Sequence, residues 1–497
     1  MSTTLLRVDA PVDAPGTAYP AATSTPPVPR LVAVPLTPRS VPAWRRDHLA
    51  TTAWALMANT GVTSLLGLVF WAAASAIYTP AELGASAALI SAMMLLSVIS
   101  QLDLAMGISR LLPQFFTRRW QPVLGAYGVA AAVGAGVTAA FVLVAPRLFP
   151  AFDFLTHVGA LGLLLILAVV LWNIFALQDA VLASARWAAV IPLENGVFGV
   201  LKIGLMVVLA HRVGGQGIFV GWVIAMGITL VPVNSLIFAK VLRSRRSRID
   251  PSPPENAAPV SPVSPVSVSP SPVGVSPTPV SPCPGNPVSV LPISNRAGVA
   301  RYLAADYAAG LLNQGYTAVL PLLVLAVLGR GPNGYFYIVF MVSGAVRAIA
   351  QSMSTSLVIE GSHHEARVAS MARLSVVRFA KYALPGILAL GLGANLLLKP
   401  FGAAYEHNGA TLLRLFLVAA LPHAVITIYL SLERVQARVN RVLAVEALIV
   451  VLVTVGAVVG MRRYGLVGVG VAWLAAHTVV AAIVAPGFLR ACRQNDA

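Results

Sequence analysis

The sequence predicts an all-α polytopic membrane protein: about twelve transmembrane helices in two six-helix lobes related by a pseudo-two-fold axis along the membrane normal. Three observations carry that prediction. Of 497 residues, 58% are hydrophobic and only 10% charged, with a mean hydropathy of +0.81, whereas a soluble domain carries roughly 25% charged residues. Apolar runs recur along the chain, each long enough to cross a hydrocarbon core of roughly 30 Å at about 1.5 Å per residue. The basic residues fall on one side of those runs. The sequence lacks the alternating strands of a membrane barrel, so backbone groups in lipid must pair within helices.

Residues 1–50 read as a disordered Pro-rich cytoplasmic tail, since no basic segment leads straight into an apolar core as in a cleavable signal. The stretch from Trp54 to Phe116 then sets the pattern: spans at 54–77 and 83–109 flank a turn at Tyr78-Thr79-Pro80, and a basic end follows at Arg110, Arg118 and Arg119. Spans at 123–145, 158–181, 188–210 and 216–240 complete an N-terminal lobe over 51–242. Residues 243–296 form a cytoplasmic linker. It opens with Arg243, Arg245, Arg246 and Arg248 and continues as SPVSPVSVSPSPVGVSPTPVSP, which is semi-extended because it can neither form a helix nor bury a core. Spans at 301–328, 334–358, 379–398, 411–432, 440–460 and 465–488 make a C-terminal lobe over 297–490, and 491–497 is a short cytoplasmic tail. Between spans eight and nine, the basic segment 363–382 carries Val368, Met371, Leu374 and Val377, and is expected to lie along the inner leaflet against anionic headgroups.

With both termini inside, the inner loops carry 22 Lys and Arg residues and the outer loops six, which fixes an N-in, C-in topology. The formal charge of +17 therefore reads as topology and not as nucleic-acid binding. Cys283 and Cys492, the two cysteines, both fall in cytoplasmic segments and exclude a disulfide framework or a thiolate metal cluster. His363, His364 and Glu365 are consecutive and diverge around a helix, so no metal is expected. No phosphate-binding loop, G-x-S-x-G or H-E-x-x-H is present, and the longest outer loops, near 146–157 and 399–410, leave little room for acceptor chemistry. Neither a cofactor nor an enzymatic activity is expected.

An internal echo supports the two-lobed layout. Asn59-Thr60-Gly61-Val62-Thr63 in span one and Asn313-Gln314-Gly315-Tyr316-Thr317 in span seven both read N-x-G-x-T. Each helix leads to an outer turn with Pro and Gly: Pro80 and Gly84 in one, Pro332 and Gly334 in the other. Six spans separate the copies, so both halves enter the membrane in the same sense, and a substrate would sit between them.

Ionisable side chains within spans cost about 2.5–3.5 kcal/mol near the bilayer centre, so each needs a reason. Arg347 lies in a polar series with Ser343, Gln351 and Ser354 on one face of span eight. It reads as a cavity residue, against a helix–helix polar contact or snorkelling as the structural alternative. Lys202, in mid-span five, needs an aqueous cavity or an acidic partner to stay charged. Asp306 begins a face with Gly310, Asn313 and Thr317, and is the ion-coupling candidate as well as a candidate structural partner for an Arg. Asn59 and Thr63 lie one turn apart in span one, where small-residue packing at Gly61 and Gly67 also explains them. Asp103, Arg110, Asp179, Glu194 and Glu360 fall near inner span ends and read as solvated; Glu446 is deeper, with no evident partner.

The pattern Asn59…Gly67-Leu68…Phe70-Trp71, Tyr78…Pro80-Ala81-Glu82-Leu83-Gly84, Leu89-Ile90-Ser91-Ala92 and Arg110-Leu111-Leu112-Pro113 resembles bacterial polysaccharide biosynthesis proteins. These form the O-antigen and teichoic-acid exporter branch of the multidrug/oligosaccharidyl-lipid/polysaccharide (MOP) superfamily. The resemblance covers the first two spans and the Pro332–Tyr337 turn, and elsewhere the architecture; the long Pro/Ser linker departs from the compact family pattern. It implies two lobes around a central cavity and alternating access. It also implies flipping of a polyprenyl-diphosphate-linked oligosaccharide across a bacterial cytoplasmic membrane, for lipopolysaccharide or a related surface polysaccharide. Basic cavity residues suit such a substrate, with Arg347 and Lys202 inside, Arg110 at the inner mouth, and Gln351, Asn59 and Asn313 as polar contacts. The implied partners are the lipid-linked substrate, membrane lipids, and glycosyltransferases or a polymerase of the same pathway. Two alternatives stand beside this reading: a drug/cation antiporter of the same superfamily, disfavoured because the deepest charges are basic, and a non-transporting scaffold for envelope assembly.

Overall fold

In the computed structural model the described residues are 61–102, 104, 105, 108, 121–157, 159–184, 187, 190–249, 296–363, 368–436 and 438–494. The N-terminal tail, Asn59, Arg110 and most of the linker lie outside them, as do the side chains of Asp306 and Glu360. The protein is an all-α polytopic membrane protein. Its helices are α1 (Gly61–Ile77), α2 (Pro80–Ser100), α3 (Gln121–Leu148), α4 (Gly159–Ser184), α5 (Val190–Val213) and α6 (Gly217–Ile249). After the linker come α7 (Arg296–Leu328), α8 (Arg330–His363), α9 (Val368–Leu392), α10 (Ala403–Val435), α11 (439–464) and α12 (466–494).

Nine helical stretches among the described residues are long and apolar enough to cross a membrane. Two of them hold a pair each. Val190–Ala239 is interrupted by the 3-10 turn Gly214–Gln216, and Val439–Arg490 breaks at Gly465, whose φ of 56° is the left-handed conformation that glycine adopts without strain. Adding the shorter α1 gives twelve apolar segments, at the positions expected from the sequence.

Local chemistry sets the start of α2. At α2, Thr79 Oγ1 accepts from the Glu82 N–H, Glu82 Oε2 accepts from the Thr79 N–H at 2.9 Å, and Pro80 occupies the first helical position. Pro146, Pro321, Pro385 and Pro422 lie inside helices, which a bundle tolerates because neighbouring helices and local adjustments satisfy the freed carbonyls.

Helices α3 to α6 pack mainly among themselves, as do α7 to α12, whereas α2 packs more extensively on α7 and α8 than on its own group. The bridge between the groups is α2, which lies against both α7 and α8, with a smaller contact from the Pro150–Phe152 turn to α7. The two Pro/Gly turns singled out by the sequence echo meet at this bridge. Asn333 Nδ2 donates to the Gly84 carbonyl at 2.8 Å. A Cβ on Gly84 would fall 1.9 Å from the Arg330 carbonyl oxygen, and one on Gly334 would fall 2.2 Å from that of Pro80. Only glycine permits so close a backbone approach. Trp71 and Tyr337 add a ring contact at 4.7 Å, and the Tyr307 hydroxyl donates to the Ile99 carbonyl at 3.0 Å near the other end of α2.

The basic segment after α8 differs from expectation. It is not a separate surface helix, because α9 runs unbroken from Val368 into the ninth span. Val368, Ala369 and Ala372 are buried while Leu374 and Val377 are exposed. Nothing between Val368 and Tyr382 breaks a helix, so the basic turn and the span form one element.

Candidate functional site

Among the described residues, each helix group encloses a cation walled by aromatic rings. In the first, α5 presents Glu194, Phe198, Lys202 and Met206 at intervals of four, all buried. Lys202 is 8% exposed, and its Nζ lies 4.2 Å from the Trp222 ring centroid, 5.0 Å from Phe198 and 5.1 Å from Phe70. The rings brace one another, Phe70 and Phe198 each meeting Trp222 edge to face at 5.5 and 5.7 Å. Among the described residues Lys202 has no hydrogen-bond or ion-pair partner. Aromatic faces lie where an acid was expected, their negative quadrupoles attracting the ammonium.

A cation–π contact contributes about 2 kcal/mol when desolvated, while burying an ammonium costs several kcal/mol. Lys202→Met, which keeps the chain length and removes the charge, is therefore expected to raise folding stability by about 1–3 kcal/mol. Thermal unfolding of the detergent-solubilised protein checks this, and a lower Tm would show that the rings outweigh desolvation.

In the second group Arg347 donates from Nη1 to Ser343 Oγ at 2.8 Å and from Nη2 to the Phe340 carbonyl at 3.2 Å. Its guanidinium lies 4.3 Å from the Phe340 centroid and 5.5 Å from Trp473. No carboxylate pairs with it among the described residues. Beside it His423 and His477 face each other with ring centroids 5.2 Å apart. His477 Nδ1 is 2.8 Å from the Trp473 carbonyl, and His477 Nε2 and His423 Nδ1 are buried without partners. Of the other residues on the polar face of α8, Ser354 hydrogen-bonds Ser431 of α10, and Gln351 is exposed.

Asn313, the sequence candidate on α7, donates from Nδ2 to both oxygens of Glu446 at 3.0 and 3.1 Å. Glu446 is 0% exposed and Arg434 approaches it to 3.9 Å. The partner that the sequence left unassigned is thus a carboxamide from α7 backed by an Arg from α10. Asn313→Ala removes two charge-assisted bonds from a buried acid and is expected to destabilise the protein by about 1–3 kcal/mol, read as a lower Tm than that of an Asn313→Asp control run at acid pH.

Arg110 and Asn59 lie outside the described residues, and only the backbone of Asp306 is described, within α7. No described hydrogen bond or ring contact joins Lys202 to Arg347. Two expectations change. Glu194 does not sit at a solvated end but is 4% exposed, because α4, α5 and α6 close over it with Gln178 and Asn234. The deepest charges are not all basic either, since Glu194 and Glu446 are as buried as Lys202. His423 and His477 were missed; the signal available was an imidazole within each of the otherwise apolar spans ten and twelve.

No protein-family model and no curated relative matches the sequence. Solved structures match over nearly the whole chain. A lipid II flippase MurJ in an inward closed conformation aligns with a TM-score of 0.60 at 11% identity, covering 89% of this chain and 90% of its own. An inward-facing multidrug resistance MATE family transporter of the MOP superfamily gives 0.57 at 13%, covering 88% and 98%. The MATE multidrug transporter DinF-BH gives 0.55 at 14%, covering 91% and 96%. What these identities share with the chain is the fold.

Proposed function

We propose that this protein is a transporter that flips polyprenyl-diphosphate-linked oligosaccharide across a bacterial cytoplasmic membrane by alternating access of two lobes, 51–242 and 297–490, its termini on the cytoplasmic side. The observation that carries the reading is Arg347: a guanidinium inside the helix bundle, fixed by Ser343 and by ring faces, with its charge not cancelled by an acid. A diphosphate supplies the missing negative charge, and a guanidinium recognises it in bidentate fashion. Lys202 offers a second positive charge in the other lobe. Hydrophobic tails remain in lipid while the charged headgroup crosses, which agrees with spans that expose apolar side chains such as Leu163, Leu193 and Val231. Likeness of fold to a lipid II flippase supports a lipid-linked substrate. Glycosyltransferases or a polymerase of the same pathway are the partners this role requires.

A drug/cation antiporter is the second reading, favoured by the buried acids Glu446 and Glu194 and by the likeness to MATE transporters. One preparation separates them. The full chain is reconstituted into vesicles carrying a fluorescently tagged polyprenyl-diphosphate sugar, and a membrane-impermeant quencher is added. Flipping exposes the inner-leaflet fraction, which empty vesicles protect. If the protected fraction stays intact while the same vesicles move a cationic rhodamine dye along an ion gradient, the flippase reading falls and the antiporter stands.

A further inference from the structure

An apolar groove runs between the two helix groups, apart from the cations described above. It lies among α2, α3 and α7 and has a volume of about 490 Å³. Leu95 of α2, Val137, Phe141 and Leu148 of α3, and Val319 and Leu323 of α7 line it, and no polar side chain does. The Pro150–Phe152 turn, which touches α7, stands at one end, where the Phe152 ring meets Phe141 at 5.8 Å and Phe149 at 6.4 Å. That end is at the membrane face opposite the linker, since α7 starts from the linker and finishes there. Leu148 and Phe149, on the rim, are exposed.

A cation stands at the same end. Arg330, the first residue of α8, holds its guanidinium 4.9 Å from the Phe154 ring centroid, and Phe154 stacks on Phe152 at 6.4 Å. The Arg330 side chain is exposed and makes no ion pair among the described residues. Its face is taken by the ring, and its N–H edge is left for an anion. Aromatic rings and a basic residue at the end of an apolar channel match the level at which headgroup phosphates meet hydrocarbon. The length of the groove fits as well. Along α3 it runs from Val137 to Leu148, about 16 Å at the helical rise, and one leaflet supplies half of a hydrocarbon core roughly 30 Å thick. One acyl chain therefore reaches from the mid-plane to Arg330, whereas a polyprenyl chain is far longer than the groove. Water finds no polar partner on these walls, and an unfilled groove forfeits the dispersion contacts that a chain would make.

We propose that this groove and Arg330 form a binding site for one anionic phospholipid. An acyl chain lies between α3 and α7, and the phosphate accepts hydrogen bonds from the Arg330 guanidinium. Helices α3 and α7 meet little directly, so the chain supplies packing between the two groups that side chains do not. The lipid is thus a structural ligand of the junction, and the site is independent of what the protein transports.

Photocrosslinking tests it. The full chain is reconstituted into phosphatidylcholine vesicles containing a minor fraction of phosphatidylglycerol with a diazirine in one acyl chain, and cross-linked residues are mapped by mass spectrometry. A phosphatidylcholine with the same diazirine chain is the parallel probe. Labelling by the phosphatidylglycerol probe is expected to concentrate on 137–148 and 319–326, above the level at Leu193, an exposed residue of α5. Arg330→Gln should lower that labelling by about tenfold, towards the phosphatidylcholine level, through loss of a charged hydrogen bond. Arg147→Gln should leave it unchanged, because Arg147 borders the neighbouring groove between α3 and α4 and donates to the Leu143 carbonyl. Ala140→Phe, at an exposed lining position, fills the groove and should remove labelling by both probes. If that variant fails to fold, Val144→Trp on the exposed rim serves the same end. Equal labelling by the two headgroups, labelling that Arg330→Gln leaves intact, or no enrichment over Leu193 would overturn the proposal. So would displacement of the label by an unlabelled polyprenyl-diphosphate sugar and not by phosphatidylglycerol, which would give the groove to the carrier. None of these outcomes decides whether the protein flips that carrier, which the quencher assay reads separately.

Discussion

Arg347→Gln is expected to cut flipping of a polyprenyl-diphosphate sugar by about ten- to a hundredfold while the protein folds normally. The magnitude follows from the interaction lost: a hydrogen-bonded charge contributes about 1.5–3 kcal/mol, and each 1.4 kcal/mol is a factor of ten. The folding half of the expectation follows from the neighbours. Arg347 is held by a serine hydroxyl, a carbonyl and two ring faces, so removing its charge strands no carboxylate. Glutamine retains a donor for Ser343. Arg347→Lys should recover only part of the rate, since an ammonium replaces a bidentate fork with a point charge. The quencher assay in vesicles gives the rate, and size-exclusion behaviour gives the fold. A well-folded Arg347→Gln protein that flips at the parental rate would remove the charge on which the proposed function depends.

The fold was legible because its determinants are local and additive. Apolar length marks a span wherever it occurs, and the Pro80–Gly84 and Pro332–Gly334 turns could be paired by their spacing alone. That the two turns touch, glycine against backbone, is the tertiary consequence of that repeat. The candidate site was legible only in part. Arg347 and Lys202 stood out because charge in a span is rare, yet what surrounds them comes from helices far apart in sequence: Trp222 and Phe70 for one, Trp473 for the other. Aromatic residues in an apolar run look like ordinary lipid-facing or core residues until the helices are assembled. Asn313 and Glu446 were each visible, but their pairing depends on α7 lying against α11, which no periodicity in either helix encodes. The same holds for Glu194. Four residues from the start of α5 it reads as an interfacial acid, and only the packing of α4 and α6 over it makes it a buried one.

Gly84→Ala is expected to be the most damaging glycine-to-alanine change among the described residues. The added carbon would lie 1.9 Å from the Arg330 carbonyl oxygen and 2.7 Å from the Gly334 amide nitrogen, both backbone atoms that no side-chain rotation can move aside. Relief requires α2 and α8 to separate, which also breaks the Asn333 bond to the Gly84 carbonyl. Overpacking alone costs about 1–3 kcal/mol where side chains yield; with backbone on both sides and a buried amide set free, about 3 kcal/mol or more is expected. Gly136→Ala on α3 is the matched control, because nothing lies within 4 Å of its added carbon and alanine favours a helix interior by about 1 kcal/mol. The two variants should therefore shift Tm in opposite directions. Because α2 bridges the two helix groups, the damage should also appear as opening: a cysteine at Asn333, buried in the parent protein, should react with an impermeant maleimide faster in the Gly84→Ala background than without it. Equal labelling in both would mean that the groups part elsewhere, and that the glycine contact is a packing detail and not the seal between the two halves.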